Sequence, residues 1–260
     1  MSAAAGARRR LPRPAILGAI AAAWLLAIAA ELSGRGAALH HGALIHSRLP
    51  VWAALLLFLL AWQAMITAMM LPSSLPLIRL FGVIGAAQPR AGRAQAAFLG
   101  GYALVWTGFG AAAFLGDIGI HRGVHAWPWL AMHPWVVPGV TLAVAGMFQF
   151  SALKERCLTV CRHPAALLLR HYRRGAAAAL RLGLRHGVFC LGCCWALMLV
   201  AFAAGVSNLA WMAAFTAVMV FEKTGPGGDR GAVPVGVALL SFGAMVLVHP
   251  AWLPPLFPTV

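Results

Sequence analysis

Apolar runs of about 20 residues recur along this 260-residue chain. A helix of that length crosses the roughly 30 Å hydrocarbon core of a bilayer. The runs therefore predict an all-α protein, a polytopic transmembrane helical bundle of about seven spans. The spans fall at about 12–31, 51–71, 95–116, 135–153, 184–204, 206–222 and 231–249. Composition agrees: 62% of the residues are hydrophobic and only 10% are charged, against roughly a quarter charged in a soluble domain. No stretch is left for a soluble domain, so residues 1–260 read as a single integral membrane domain. The apolar run that follows Arg8, Arg9, Arg10 and Arg13 is long for a signal peptide and lacks a cleavage signal, so it reads as the first span. Pro72 and Pro76 are expected to end the second span, and the glycines of Gly225-Pro226-Gly227-Gly228 to break the chain before the seventh.

The formal net charge of +15 is a topology signal here. Seventeen of the 20 Lys and Arg residues fall on one side of this map, and only Arg35, Arg48 and Arg122 on the other. The positive-inside rule then places the N-terminus in the cytoplasm and the C-terminus outside. The expected location is the bacterial inner membrane, with lipid as the surrounding partner and no nucleic-acid role. Trp52, Trp127, Trp129, Trp135 and Trp252 fall near the expected outer boundary, where amphipathic rings favour the headgroup region.

With orientation assigned, the soft ligands sort by depth. In CLGCCWALM, Cys190 lies six residues into the fifth span, roughly 9 Å deep. His186, Cys190, Cys194 and Met198 follow at i+4, with Cys193 beside them, so they share one helical face. The second span runs the opposite way and brings Met65, Met69 and Met70 to the same level. Cys157 and Cys161 are i, i+4 if KERCLTVCR stays helical, and Glu222 and Lys223 close the sixth span. All five cysteines thus converge on the inner half of the bundle, facing a reducing compartment that keeps thiols free. Thiolate and thioether sulfur select Cu(I), while four thiolates from Cys157, Cys161, Cys190 and Cys193 would suit zinc. Cysteine and methionine are also ordinary packing residues; their shared placement favours ligands.

The outer side carries His40, His41, His46, His121, His125, His133 and His249. Imidazole suits oxidised copper or zinc, and His121 with His125 at i, i+4, or His40 with His41, form a possible outer metal site. Asp117 and Glu31 mark outer helix ends. No nucleophile–base pair, phosphate-binding loop or dinucleotide fingerprint is present, so an enzyme is the less favoured class.

The strings MITAMMLPSSLP (65–76), GYALVWTGF (101–109), MFQFSALKERCLTVCRHP (147–164), HGVFCLGCCWALM (186–198) and NLAWMAAF through FEK (208–223) resemble an uncharacterised bacterial family of predicted metal-binding integral membrane proteins. The resemblance spans roughly residues 50 to 225. It implies a membrane protein that binds metal, copper being the candidate. The positions that match its motifs are Met65, Met69, Met70, Lys154, Cys157, Cys161, Cys190, Cys193, Cys194, Trp195, Met198, Glu222 and Lys223. Ser207 departs from it, standing where a methionine is expected.

Three readings follow. The first is Cu(I) handling through inner-half Cys and Met residues: binding, delivery or transport for a periplasmic or membrane cuproenzyme. The second is a membrane thiol/disulfide oxidoreductase using Cys190/Cys193 or Cys157/Cys161. The third is a structural or assembly subunit whose cysteines bind zinc or pack the bundle.

Overall fold

The computed structural model describes residues 14–34, 41–45, 47–204 and 208–249, with His41 and His125 described by backbone alone. Eleven helices account for its regular structure: α1 (Pro14–Leu32), α2 (His41–Ile45), α3 (Val51–Gly85), α4 (Ala91–Ala126), α5 (Pro128–Met132), α6 (Val136–Phe148), α7 (Ala152–Arg162), α8 (Pro164–His171), α9 (Ala176–Ala204), α10 (Leu209–Thr224) and α11 (Ala232–Val248), with a 3-10 turn at Gly228–Gly231 before the last. Among the described residues there is no strand.

Five helices, α1, α3, α4, α9 and the segment Gly228–Val248, are long and apolar enough to cross a membrane. The pair α6 and α7 is long and apolar enough only when its two helices are taken together, and it bends by 64° at its break. The expected sixth span forms as α10, but its 16 residues fall short of the roughly 20 that a straight crossing takes. The exposed surface is apolar in the manner of a lipid-facing bundle: Leu25, Leu26, Leu60 and Leu104 all point outward.

α3, α4 and α9 overrun the expected limits, continuing the hydrogen-bond ladder past the apolar stretch, whereas α6 and α11 fall inside theirs. The clearest correction is α3, which passes through both prolines and ends at Gly85. A helical proline frees the carbonyl four residues back. For Pro72 that carbonyl belongs to Ala68, and the Trp24 indole N–H of α1 donates to it at 3.1 Å. The freed group is satisfied by a neighbouring helix, which is how membrane helices tolerate proline.

Packing is closest between α4 and α9. A Cβ at Gly183 would overlap the Phe98 carbonyl, and one at Gly101 would overlap the backbone at Leu180 and Leu184. Glycine lets these two backbones touch, the usual device where helices associate without a hydrophobic driving force. α9 is the most enclosed of the long helices and runs through the centre of the core. At one end of the bundle the α3–α4 and α8–α9 turns are tied together. The Gln88 amide donates to the Tyr172 hydroxyl at 2.7 Å and accepts from the Gly175 N–H at 3.1 Å.

Candidate metal centre

The centre is built on one stripe of α9. His186, Cys190, Cys193, Cys194 and Met198 are all buried, as their i+3 and i+4 spacing requires once that face turns inward. Two thiols are aimed by the helix itself. Cys193 donates to the Cys190 carbonyl at 3.1 Å and Cys194 to the same oxygen at 2.8 Å.

Other helices deliver further donors to this stripe. α3 places the Met70 thioether 3.8 Å from the Cys194 sulfur. α7 is helical through KERCLTVCR and places Cys161 sulfur 4.0 Å from Cys193 sulfur. Two sulfurs bound to one metal at roughly 2.3 Å stand about 3.8 Å apart in a tetrahedron and about 4.6 Å apart in a line. Both contacts fall in that range, which is also the range of a thiol hydrogen bond to sulfur. Cys157, on the same helix as Cys161, lies against Gly192, where any Cβ would fall 2.5 Å from its sulfur.

Cys190 has different company. The Lys223 ammonium of α10 donates to Cys190 sulfur at 3.1 Å, to the Ser73 hydroxyl at 3.2 Å, and reaches Cys194 sulfur at 4.0 Å. The three N–H bonds of an ammonium thus find three acceptors. Tyr102 of α4 shares a hydrogen bond with Cys190 sulfur at 3.2 Å. Ser74 joins that hydroxyl at 3.4 Å and the His186 ring at 3.2 Å. Among the described residues Lys223 has no carboxylate partner, because Glu222 is held by Lys154 at 2.7 Å. Both members of that ion pair are buried. Arg162 of α7 clasps the end of α10 through the Glu222 and Gly225 carbonyls. A cavity of about 350 Å³ opens at the α6–α7 break beside Gln149, Lys154 and Arg162. Gln149 is buried there, and neither its amide oxygen nor its nitrogen has a hydrogen-bond partner.

The expected four-thiolate set does not stand as a ready cage. Among the described residues no three of the His, Cys, Asp and Glu side chains converge closely enough to hold a metal. The physical reason is visible: Cys190 is engaged by Lys223 and Tyr102, while Cys157 is turned onto Gly192. The sulfurs meet in pairs. Met65, Met69 and Met198 are buried in the same core, and Trp195 packs edge-on against Phe148 at its margin.

On the outer side, His121 is buried and turns its Nδ1 to the Asp117 carbonyl at 3.0 Å and its carboxylate at 3.5 Å. His133 is stacked on Trp129. The expected outer partners, His40 and the side chains of His41 and His125, lie outside the described residues, as does Ser207.

Ser73, Ser74 and Tyr102 join the sulfur cluster without having been picked out from the sequence. The signal was available, since they sit inside the strings MMLPSS and GYALVW. Their polarity in otherwise apolar helices is itself a marker of an interior site.

A family model described as PpoB2, copper chaperone, matches residues 59–246, well over half of the chain. That match covers every described member of the sulfur cluster. No curated protein and no solved structure matches the chain.

Proposed function

The chain belongs to the PpoB2 copper chaperone family, and from that premise we propose that it binds Cu(I) inside a membrane bundle. The ligands in this reading are Cys193 and Cys194 of α9, Cys161 of α7 and Met70 of α3. Cys157 and Cys190 flank them, and Met65, Met69 and Met198 are reserve thioethers at the same level. Lys223, Lys154 and Glu222 fix the helix that closes the site. The bundle lies in the bacterial inner membrane with its N-terminus in the cytoplasm, on the side where the basic residues collect. The copper is cargo, passed to a periplasmic or membrane cuproenzyme, and the protein itself performs no bond-making chemistry.

One observation carries the reading. Two sulfur pairs flank neighbouring positions of α9: Cys161 of α7 stands 4.0 Å from Cys193, and Met70 of α3 stands 3.8 Å from Cys194. A mixed thiol and thioether set favours Cu(I) over zinc, which prefers four thiolates or imidazoles. The test is the metal content of the purified protein loaded anaerobically with Cu(I), beside a Cys193→Ser/Cys194→Ser variant. The wild type should retain copper through a desalting column and the variant should lose most of it. Equal copper in both would end the proposal.

The Cys161–Cys193 contact also supports a second reading as a dithiol couple, in which two thiols give two electrons to a quinone and two protons to solvent and close a disulfide. Thiol trapping separates the two readings: a cycling couple is recovered partly oxidised, whereas a Cu(I) site is recovered reduced and shielded by its metal.

A further inference from the structure

We propose that the turn between α8 and α9 is a binding site for the phosphate group of an anionic phospholipid, held by Arg170, Arg173, Arg181 and Arg185. This rests on the membrane reading above, and is independent of copper.

These four arginines, with His171 and Leu182, line one pocket of about 260 Å³. The positive-inside rule accounts for basic residues on this side of the molecule. It does not account for four arginines lining a single concavity. Arg181 and Arg185 stand at i, i+4 on α9, where like charges destabilise one another. Arg173 donates to the Tyr172 carbonyl at 2.9 Å, a contact that leaves its charge uncompensated. The protein has five acidic residues, and none lines this pocket. Three are already engaged: Asp117 with His121, Glu222 with Lys154, and Asp229 with Arg162. Among the described residues none of the four arginines has a carboxylate partner, and all four are exposed. The charge must be met from outside the protein.

The planar guanidinium fork matches phosphate oxygens two at a time. His171 uses Nδ1 on the Leu167 carbonyl at 3.1 Å, which leaves Nε2 as a further polar contact. The surroundings select a lipid over a free anion. Leu169, next to Arg170, is 85% exposed, and Val188, one turn beyond Arg185, is 57% exposed. Leu182 lines the pocket itself, and these exposed apolar side chains lie within a turn of it along both helices, as acyl chains require beneath a headgroup. Basic pockets at this level of a bundle suit lipid headgroups.

The test uses the full chain in a neutral detergent and reads retained lipid by native mass spectrometry. Phosphatidylglycerol and phosphatidylcholine are offered in equal amounts, with and without inorganic phosphate. Arg181→Gln/Arg185→Gln is compared with Arg90→Gln/Arg93→Gln, which removes the same charge from a separate basic pocket. The wild type should retain phosphatidylglycerol about tenfold over phosphatidylcholine, a difference of about 1.4 kcal/mol. The Arg181/Arg185 variant should lose that preference and the Arg90/Arg93 variant should keep it. Equal retention of both lipids by the wild type would overturn the site, and so would equal loss in both variants. Displacement by inorganic phosphate would assign the pocket to a free anion and overturn the lipid source. A chain that stays soluble without detergent would instead remove the membrane reading, and copper content is unaffected by any of these outcomes. Arg181→Lys/Arg185→Lys keeps the charge and should retain part of the preference, which guards against a variant that fails to fold.

Discussion

At the scale of single residues, the buried Lys154–Glu222 pair and the lone Lys223 set the electrostatics of the centre. Taking two ions out of water costs several kcal/mol each, and a pair recovers this only while both partners remain. Glu222→Gln strands the Lys154 ammonium and should cost about 3–5 kcal/mol in denaturant titrations in micelles. Lys154→Met/Glu222→Leu removes both charges and should recover most of that loss. An additive double variant would mean that the pair does not act as a unit. Met70→Leu separates packing from ligation. The swap nearly conserves volume and should cost under about 1.5 kcal/mol in stability, yet it removes the thioether 3.8 Å from Cys194. Its expected signature is an intact fold with weaker Cu(I) retention against a competing chelator. The shared stripe His186–Cys190–Cys194–Met198 and the Cys157/Cys161 spacing were legible from the sequence, since helical periodicity alone specifies them. The pairing of Cys161 with Cys193 was not. It depends on how two helices cross, and no local pattern encodes that.

At the scale of elements, α3 shows where sequence rules mislead. Proline signals a helix end because its own carbonyl partner is orphaned, but Trp24 on α1 supplies the missing donor to Ala68. The rule is sound locally and is overridden by a tertiary contact. This gives a coupled prediction. Trp24→Phe should cost about 1–3 kcal/mol, the usual loss when a buried acceptor is left unmet. In a Pro72→Ala background the new N–H at position 72 takes over, and Trp24→Phe should then be close to neutral. Equal costs in both backgrounds, read from thermal unfolding, would show that the indole contact is incidental. The α4–α9 contact offers a sterner test: Gly183→Leu should separate the helices and abolish folding, because a side chain there meets the Phe98 backbone. The seven apolar stretches were readable from hydropathy alone. The shortness of the sixth stretch before Glu222 and Lys223 was readable as well, and α10 has only 16 residues; what hydropathy missed is that the fourth stretch bends by 64° into α7.

At the scale of the whole molecule, the positive-inside rule predicts opposite sides for the two termini if all seven apolar stretches cross, α10 and the bent α6–α7 pair included. An alkaline phosphatase fused after Val260 should be active and a fluorescent protein fused there dark, with the reverse at the N-terminus. The opposite pattern would invert the bundle and move the sulfur cluster to the outer face. Family membership accounts for copper, and the separation of the sulfurs indicates how copper could be held. The composition alone distinguished neither copper from zinc nor binding from packing, because thiols serve all of these equally well until their distances are known.

The break between α6 and α7 has a mechanical meaning. Cys194 and Met70 are carried by α9 and α3, two long uninterrupted helices, so their separation is set by the frame of the bundle. Cys161 hangs on α7, beyond the bend at Gln149 to Ser151. The Lys154–Glu222 pair and the Arg162 clasp tie α7 to α10, so a few degrees of rotation that carried α7 and α10 together would part Cys161 from Cys193 while Cys194 and Met70 stayed together. The four sulfurs therefore divide into an anchored half and a movable half. A cation gripped by both could be loosened from one side at a time, with a waiting ligand on another protein taking each vacated place before the last bond is released.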